Sequence, residues 1–362
     1  MEINDKTRNI PSLDGMRAIS ILLVIVAHSA QNFSRWIKIP LGSYLLFAHT
    51  GVSVFFVISG FLITSLLLKE LHATGTIGLK RFYLRRAFRI FPPFYFYLGI
   101  IFVLALAGVF RTPLLAFFFA AIYTSNYYLG PGGDFVGLQH IWSLSVEEQF
   151  YLLWPAALLL LGKRRAIYLA GFLILISPWS RLVTYFVLAP EHRALVDRMF
   201  HSSIDTIMFG CLLALLWQND RFHRLLRIGT NSWSMAGAVF FLFLVDPLLD
   251  LRFRGSYSLL IGMTLEGISI CLITVYVVKR PETLPGRVLN TPILRHIGVI
   301  SYSLYLWQNI LTGEAGQYFP LDLVAILACA ELSYWAVERP SLRLRDRLRK
   351  RTSSDPPVEV RS

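Results

Sequence analysis

The chain has 362 residues, 55% of them hydrophobic, and its 35 Lys and Arg outnumber its 22 Asp and Glu to give a formal net charge of +13. That much apolar material exceeds what the core of a water-soluble domain of this size needs, which excludes an ordinary soluble globular protein and places the chain in lipid. The cations are dispersed in short loops between apolar runs, so they read as membrane-orienting charges, and nucleic acid is not an expected partner.

Repeated apolar runs are long enough to cross a hydrocarbon core of about 30 Å at about 1.5 Å per residue, and none alternates with strand period, so the expected fold is an all-α integral membrane protein. The first run, 18–33, follows Lys6, Arg8 and Arg17. Its Ala27-His28-Ser29 segment also fits a cleavable signal peptide, an alternative that intact mass decides. Runs 45–68 and 91–110 flank the basic loop 69–89. The next, 114–128, turns polar at Thr124-Ser125-Asn126 and meets Pro131-Gly132-Gly133. As a span it would invert every later basic loop, so it is expected to be a re-entrant or outer-surface segment. Runs 145–161, 166–189, 204–218, 233–249, 257–278, 297–313 and 321–337 complete a bundle of about ten transmembrane helices. Lys163, Arg164, Arg165, Arg224, Arg227, Arg280, Arg287 and Arg295 then share the cytoplasm with both termini. The expected organisation is one transmembrane domain, 1–345, followed by a tail, 346–362, that is basic, then disordered and cytoplasmic. Cys211, Cys271 and Cys329 match no metal or redox spacing, so neither a metal nor a disulfide framework is expected.

Ionisable groups inside spans are costly and mark candidate sites. His28 lies eleven residues beyond Arg17, about 16 Å deeper along the helix. Trp142-Ser143-Leu144-Ser145-Val146-Glu147-Glu148-Gln149-Phe150-Tyr151 opens the fourth span with two adjacent carboxylates, at least one of which must turn inward. Asp205 lies at a similar depth in the sixth span. The alternative for His28 is a satisfied interior histidine. Glu266 and Glu331, within spans, and His49, His140 and His201, near the outer surface, have no motif around them and read as structural. The basic stretch Lys80–Arg89 is rich in Arg, Phe and Tyr; it suits either anionic headgroups or bound phosphates, since guanidinium forks bind phosphate bidentately and aromatic rings stack on a base.

The motifs Leu13-Asp14-Gly15-Met16-Arg17-Ala18 followed by His28, Phe55-Phe56-Val57-Ile58-Ser59-Gly60-Phe61-Leu62, the Arg-Arg-x-x-Arg-Ile-x-Pro element ending at Pro92, the Trp142 to Tyr151 element, Ser301-Tyr302-Ser303-Leu304-Tyr305-Leu306-Trp307 and Glu338-Arg339-Pro340 resemble those of the membrane-bound acyltransferase-3 family. The resemblance covers about residues 8 to 345 in one consistent order. It implies an enzyme of the bacterial inner membrane that moves an acyl group, acetyl foremost, from acyl-CoA to a hydroxyl of a surface or secreted carbohydrate. A macrolide-type acceptor, and a non-enzymatic proton-coupled transporter or flippase, remain alternatives. The implied roles place Arg17, Arg86 and Arg89 at the acyl-CoA, and His28 with Glu147 or Glu148 at the chemistry. Asp14, Asp205, Trp142, Ser143, Tyr151 and Trp307 are further candidates. Implied partners are the acceptor, membrane lipid and, because some members carry an appended hydrolase-like domain, a separate envelope acyl-handling protein. Two departures stand out: Ser53 where many members carry Asp, and Gln308 where many carry His. Gln cannot exchange protons, so position 308 is not assigned acid–base work.

Overall fold

In the computed structural model, which describes residues 10–33, 42–130, 136–217, 219, 222–253, 255–312 and 321–354, every regular element is helical. Lys6, Arg8, residues 131–135 with Pro131-Gly132-Gly133, Arg221 and residues 355–362 lie outside the described residues. Three long helices come first: α1 (Pro11–Phe33), α2 (Gly42–Thr74) and α3 (Leu79–Leu106). Gly75, at φ 73°, stops α2 in the left-handed conformation that only glycine adopts freely, and its N–H donates to the Leu71 carbonyl at 2.9 Å. Next, α4 (Leu114–Ala121) has eight residues, about 12 Å, far short of a bilayer core. The apolar run at 114–128 is therefore a short helix followed by a 3-10 turn at Ser125–Tyr127.

The 47-residue α5 (Ile141–Val187) would be about 70 Å long if straight. Gly162, at φ 68° and ψ 170°, breaks it. Ser145 in its first half bonds Ser125 at 2.8 Å, while Thr184 in its second half bonds His201, which also reaches Tyr127. Both halves thus meet the same segment, so the chain doubles back at Gly162 and α5 accounts for two of the apolar runs.

The rest comprises α6 (Phe200–Leu216), α7 (His223–Gly229), α8 (Ser232–Phe240), α9 (Asp246–Phe253), α10 (Met263–Lys279), α11 (Leu284–Leu289), α12 (Pro292–Val299), α13 (Ser301–Thr312), α14 (Leu321–Ser333) and α15 (Arg339–Ser354). Seven described segments, α5 counted once, are long and apolar enough to cross a membrane, and the final two apolar runs fall on the shorter α13 and α14. The chain is a multi-pass membrane protein. Exposed Leu160, Leu175, Phe186 and Val187 cover its outward faces with the apolar surface that lipid requires. The tail expected to be disordered from Thr352 is helical through Ser354.

Helices α1, α2 and α6 form the centre. At Gly60 an added Cβ would lie 2.1 Å from the Ile207 carbonyl oxygen, and at Gly210 2.0 Å from that of Val57, so the backbones of α2 and α6 touch. Small residues at such crossings are what lets membrane helices approach. Gly15 meets the Leu289 carbonyl oxygen in the same way, at 2.2 Å. Pro92 and Pro93 interrupt the hydrogen bonding of α3. Pro92 has no N–H for the Phe88 carbonyl, and Ser341 of α15 donates to that oxygen at 2.6 Å instead. The Arg89-Ile90-Phe91-Pro92 and Glu338-Arg339-Pro340 motifs are therefore neighbours.

Candidate active site

The site is organised along α1, with Arg17 toward one end of the bundle and His28 about 16 Å nearer the other. At the arginine end, Arg17 lies 4.0 Å from Asp14. Arg17, Arg86 and Arg89 are close enough to act on one another's charge. The Arg86 guanidinium sits 4.7 Å over the Tyr151 ring, a cation–π contact. The Tyr151 hydroxyl donates to Glu147, which also accepts the Ser59 hydroxyl. Glu338 accepts from Ser303 at 3.1 Å and lies in the field of Arg89 and Arg17. Six separate sequence motifs thus converge on one cluster. Arg81 and Arg85 do not join it, because both pair with Glu70, at 3.8 and 3.3 Å. What remains is a guanidinium trio braced by carboxylates and a tyrosine, an arrangement suited to anionic oxygens.

At the histidine end, His28 Nδ1 lies 2.8 Å from the Val24 carbonyl oxygen. A carbonyl only accepts, so Nδ1 carries the proton and Nε2 presents a lone pair. Glu147 or Glu148 was expected at the chemistry beside this imidazole, and neither makes a hydrogen bond to it among the described residues. Glu147 is engaged by Ser59 and Tyr151, and Glu148 lies in the field of Arg86, so the pair belongs to the arginine end. Six residues into α5, Glu147 has already travelled about 9 Å from the helix start toward that end. The charge acting on His28 is instead Arg198. Arg198, Trp142, Ser125, Asn126, Gln139 and Leu195 line a pocket at this end, with the Trp142 ring edge-on to Phe56 at 6.3 Å.

The other candidates have structural partners. Ser143 Oγ lies 2.5 Å from the Tyr305 hydroxyl, and both reach the His140 carbonyl at 3.1 Å. Trp307 packs edge-on to Tyr97, and neighbouring Gln308 is fully buried with both amide atoms unpartnered among the described residues. Asp205 is locked to Arg181 at 2.9 Å, both side chains fully buried. Arg181 further donates to the Ser202 and Leu259 carbonyls, tying α5 and α6 to the π-helical turn Ser258–Gly262 that leads into α10. Arg181 and Ser59 were missed in the sequence. An arginine inside the run 166–189 was the available signal for the first.

With this geometry described, similarity to known proteins can be placed on it. The sequence profile of an acyltransferase domain, that of the acyltransferase-3 family, matches residues 10–334. The chain belongs to the acyltransferase-3 family. The protein of Staphylococcus aureus (strain NCTC 8325 / PS 47) named O-acetyltransferase OatA is 30% identical over 369 residues, covering 92% of this chain and 57% of that protein. A protein of Staphylococcus aureus (strain COL), provisionally named O-acetyltransferase SACOL0978, is 31% identical over 376 residues, covering 92% of this chain and 58% of its own length. The chain therefore spans rather more than half the length of these relatives. No solved structure matches. The family's motifs are those that meet at the arginine end and at His28.

Proposed function

We propose that the protein is a membrane O-acyltransferase that takes an acyl group, acetyl foremost, from acyl-CoA and transfers it to a hydroxyl of a surface or secreted carbohydrate. The observation that carries this reading is that α1 bears both Arg17, where Arg86 and Arg89 of α3 complete a guanidinium trio, and, about 16 Å further along, the free imidazole nitrogen of His28. The phosphates of acyl-CoA bind at Arg17, Arg86 and Arg89, whose planar forks suit them. The arginine end then faces the cytoplasm, where acyl-CoA is found, and the pantetheine arm runs inward beside α1 to His28. With its Nδ1 proton held by Val24, His28 attacks the thioester carbonyl through Nε2. The N–C bond forms, the C–S bond breaks with its electron pair leaving on sulfur, and the acyl group rests on the imidazole. The acceptor approaches from the pocket at the other end, where Trp142, Asn126, Gln139 and Arg198 offer a ring face and polar groups to a sugar. The names of the Staphylococcus aureus relatives support acetyl as the group moved.

The experiment is thiol release from acetyl-CoA by detergent-purified protein with candidate glycans. Acceptor-stimulated release with ester formation is the expected result. Movement of unmodified cargo across vesicles with no thiol release would replace this reading with a transporter.

A further inference from the structure

The arginine end carries a fourth guanidinium outside the trio. The first turn of α1 packs against two short helices. Gly15 meets the Leu289 carbonyl of α11, and an added Cβ at Gly298 of α12 would lie 2.0 Å from the Asp14 carbonyl oxygen. Ser12 adds a hydrogen bond to Asn290, between those two helices, at 3.1 Å. Helix α12 therefore touches the backbone of α1 at Asp14, one turn before Arg17. Arg295 precedes Gly298 by three residues, so both positions share the face of α12 turned toward α1. Its charge acts on Asp14, as do those of Arg17 and Arg89.

The groups that act most on Arg17 are Arg89, Tyr151, Asp14 and Arg86, so Arg295 stands further out, on the Asp14 side of the trio. Depth along α1 gives the order: His28 innermost, Arg17 about 16 Å from it, and Asp14 about 4.5 Å beyond Arg17. Arg295 is exposed. Other cations of this end are engaged, Arg81 and Arg85 by Glu70 and Arg339 over the Trp335 ring at 3.9 Å. Arg295 has no carboxylate in ion-pair contact among the described residues, and Asp14, on which it acts, lies 4.0 Å from Arg17. An exposed planar fork beside a cationic trio is open to one more anionic group.

Acyl-CoA carries such a group. Its diphosphate joins the pantetheine arm, whereas its third phosphate hangs from the ribose 3′-oxygen, further from the thioester. With the diphosphate at the trio and the arm directed to His28, the ribose phosphate falls on the outer side of Arg17, where Arg295 stands. We infer that Arg295 binds the ribose 3′-phosphate of acyl-CoA and lets the protein distinguish CoA thioesters from otherwise identical donors that lack this phosphate. This rests on the proposed binding of acyl-CoA at the arginine end and adds to it a specificity-determining residue. The phosphate of an anionic lipid headgroup offers similar chemistry, and the experiment separates the two sources.

The test is equilibrium binding of acetyl-CoA and of 3′-dephospho-acetyl-CoA to the full chain in nanodiscs of zwitterionic lipid, for the wild type, Arg295→Gln and Arg295→Lys. The wild type is expected to bind acetyl-CoA about ten-fold more tightly than the dephospho donor. Arg295→Gln is expected to bind the two alike, losing about ten-fold on acetyl-CoA and staying within about two-fold on the dephospho donor. Lys should restore part of the difference, since it keeps charge without the fork. Arg86→Gln should weaken both donors together, because the diphosphate is common to them. Equal affinity of the wild type for both donors overturns the assignment and leaves the trio as proposed. An Arg295→Gln variant that loses both donors equally, as a structural role through Asp14 would give, overturns it as well, and so does one that keeps full discrimination. An effect of Arg295→Gln that appears only when phosphatidylglycerol is added, and equally for both donors, assigns the fork to a lipid headgroup instead. Absence of acetyl-CoA binding by the wild type overturns the proposed donor site, and this inference with it.

Discussion

The two ends of the bundle are built on different terms. At the arginine end charges brace one another: Arg86 lies on Tyr151, Tyr151 and Ser59 hold Glu147, and Ser303 holds Glu338. At the histidine end, His28 is tied through Nδ1 to the Val24 carbonyl and presents Nε2. A fully braced cluster of cations is pre-organised to bind, whereas a half-tethered imidazole is left able to react. The proposed transfer thus separates recognition from chemistry along α1.

The largest effect is expected where the histidine end carries a lock and not a tool. Asp205→Asn strands the fully buried Arg181 guanidinium and should cost about 3–5 kcal/mol of stability, read as thermal unfolding in detergent. Per folded molecule, acyl-CoA binding should be unaltered. A matching loss of donor affinity would mean that the two ends are not independent.

At the arginine end the same logic predicts the reverse pattern. Arg86→Gln or Arg89→Gln should leave the protein folded and weaken acetyl-CoA binding by about 1.5–3 kcal/mol each, roughly ten-fold or more. Lys at both positions should recover only part of this, since it keeps charge without the planar fork. Equilibrium binding of acetyl-CoA measures it, and unchanged affinity would return these arginines to lipid anchoring.

Smaller still is the expected effect of Gly210→Ala, which pushes a methyl group into the Val57 carbonyl. Overpacking of this kind costs about 1–3 kcal/mol. The loss should appear as lowered thermal stability, with the ratio of donor affinity to turnover preserved. A change in that ratio would show that the α2–α6 crossing helps set the site.

How much of this could be read in the sequence follows from what each residue depends on. The membrane character, the failure of 114–128 to span and the return of the chain near Gly162 follow from local composition, so they were legible. Arg17, Arg86, Arg89 and His28 were legible because they stand in ordered motifs, and the structure gathers the three arginines. The direction of Glu147 was not, because it depends on Ser59 and Tyr151 approaching from opposite sides of a helix interface. Nor was the contact of His49 on α2 with Glu266 on α10, at 3.1 Å, which carries no pattern along the chain. Arg181 could have been found, since a cation within an apolar run demands a buried partner, and Asp205 was already in view.

The central claim is that His28 reacts while Arg17, on the same helix, binds. Turnover of His28→Gln and Arg17→Gln, measured side by side at saturating acetyl-CoA and normalised to monodisperse protein, tests it most directly. Gln at position 28 keeps bulk and hydrogen bonding but can carry neither a proton nor an acyl group, so turnover should fall by about 10²-fold or more. Arg17→Gln should keep most of its turnover once donor is saturating, its loss falling on acetyl-CoA affinity. Near wild-type turnover in His28→Gln under those conditions would contradict the account.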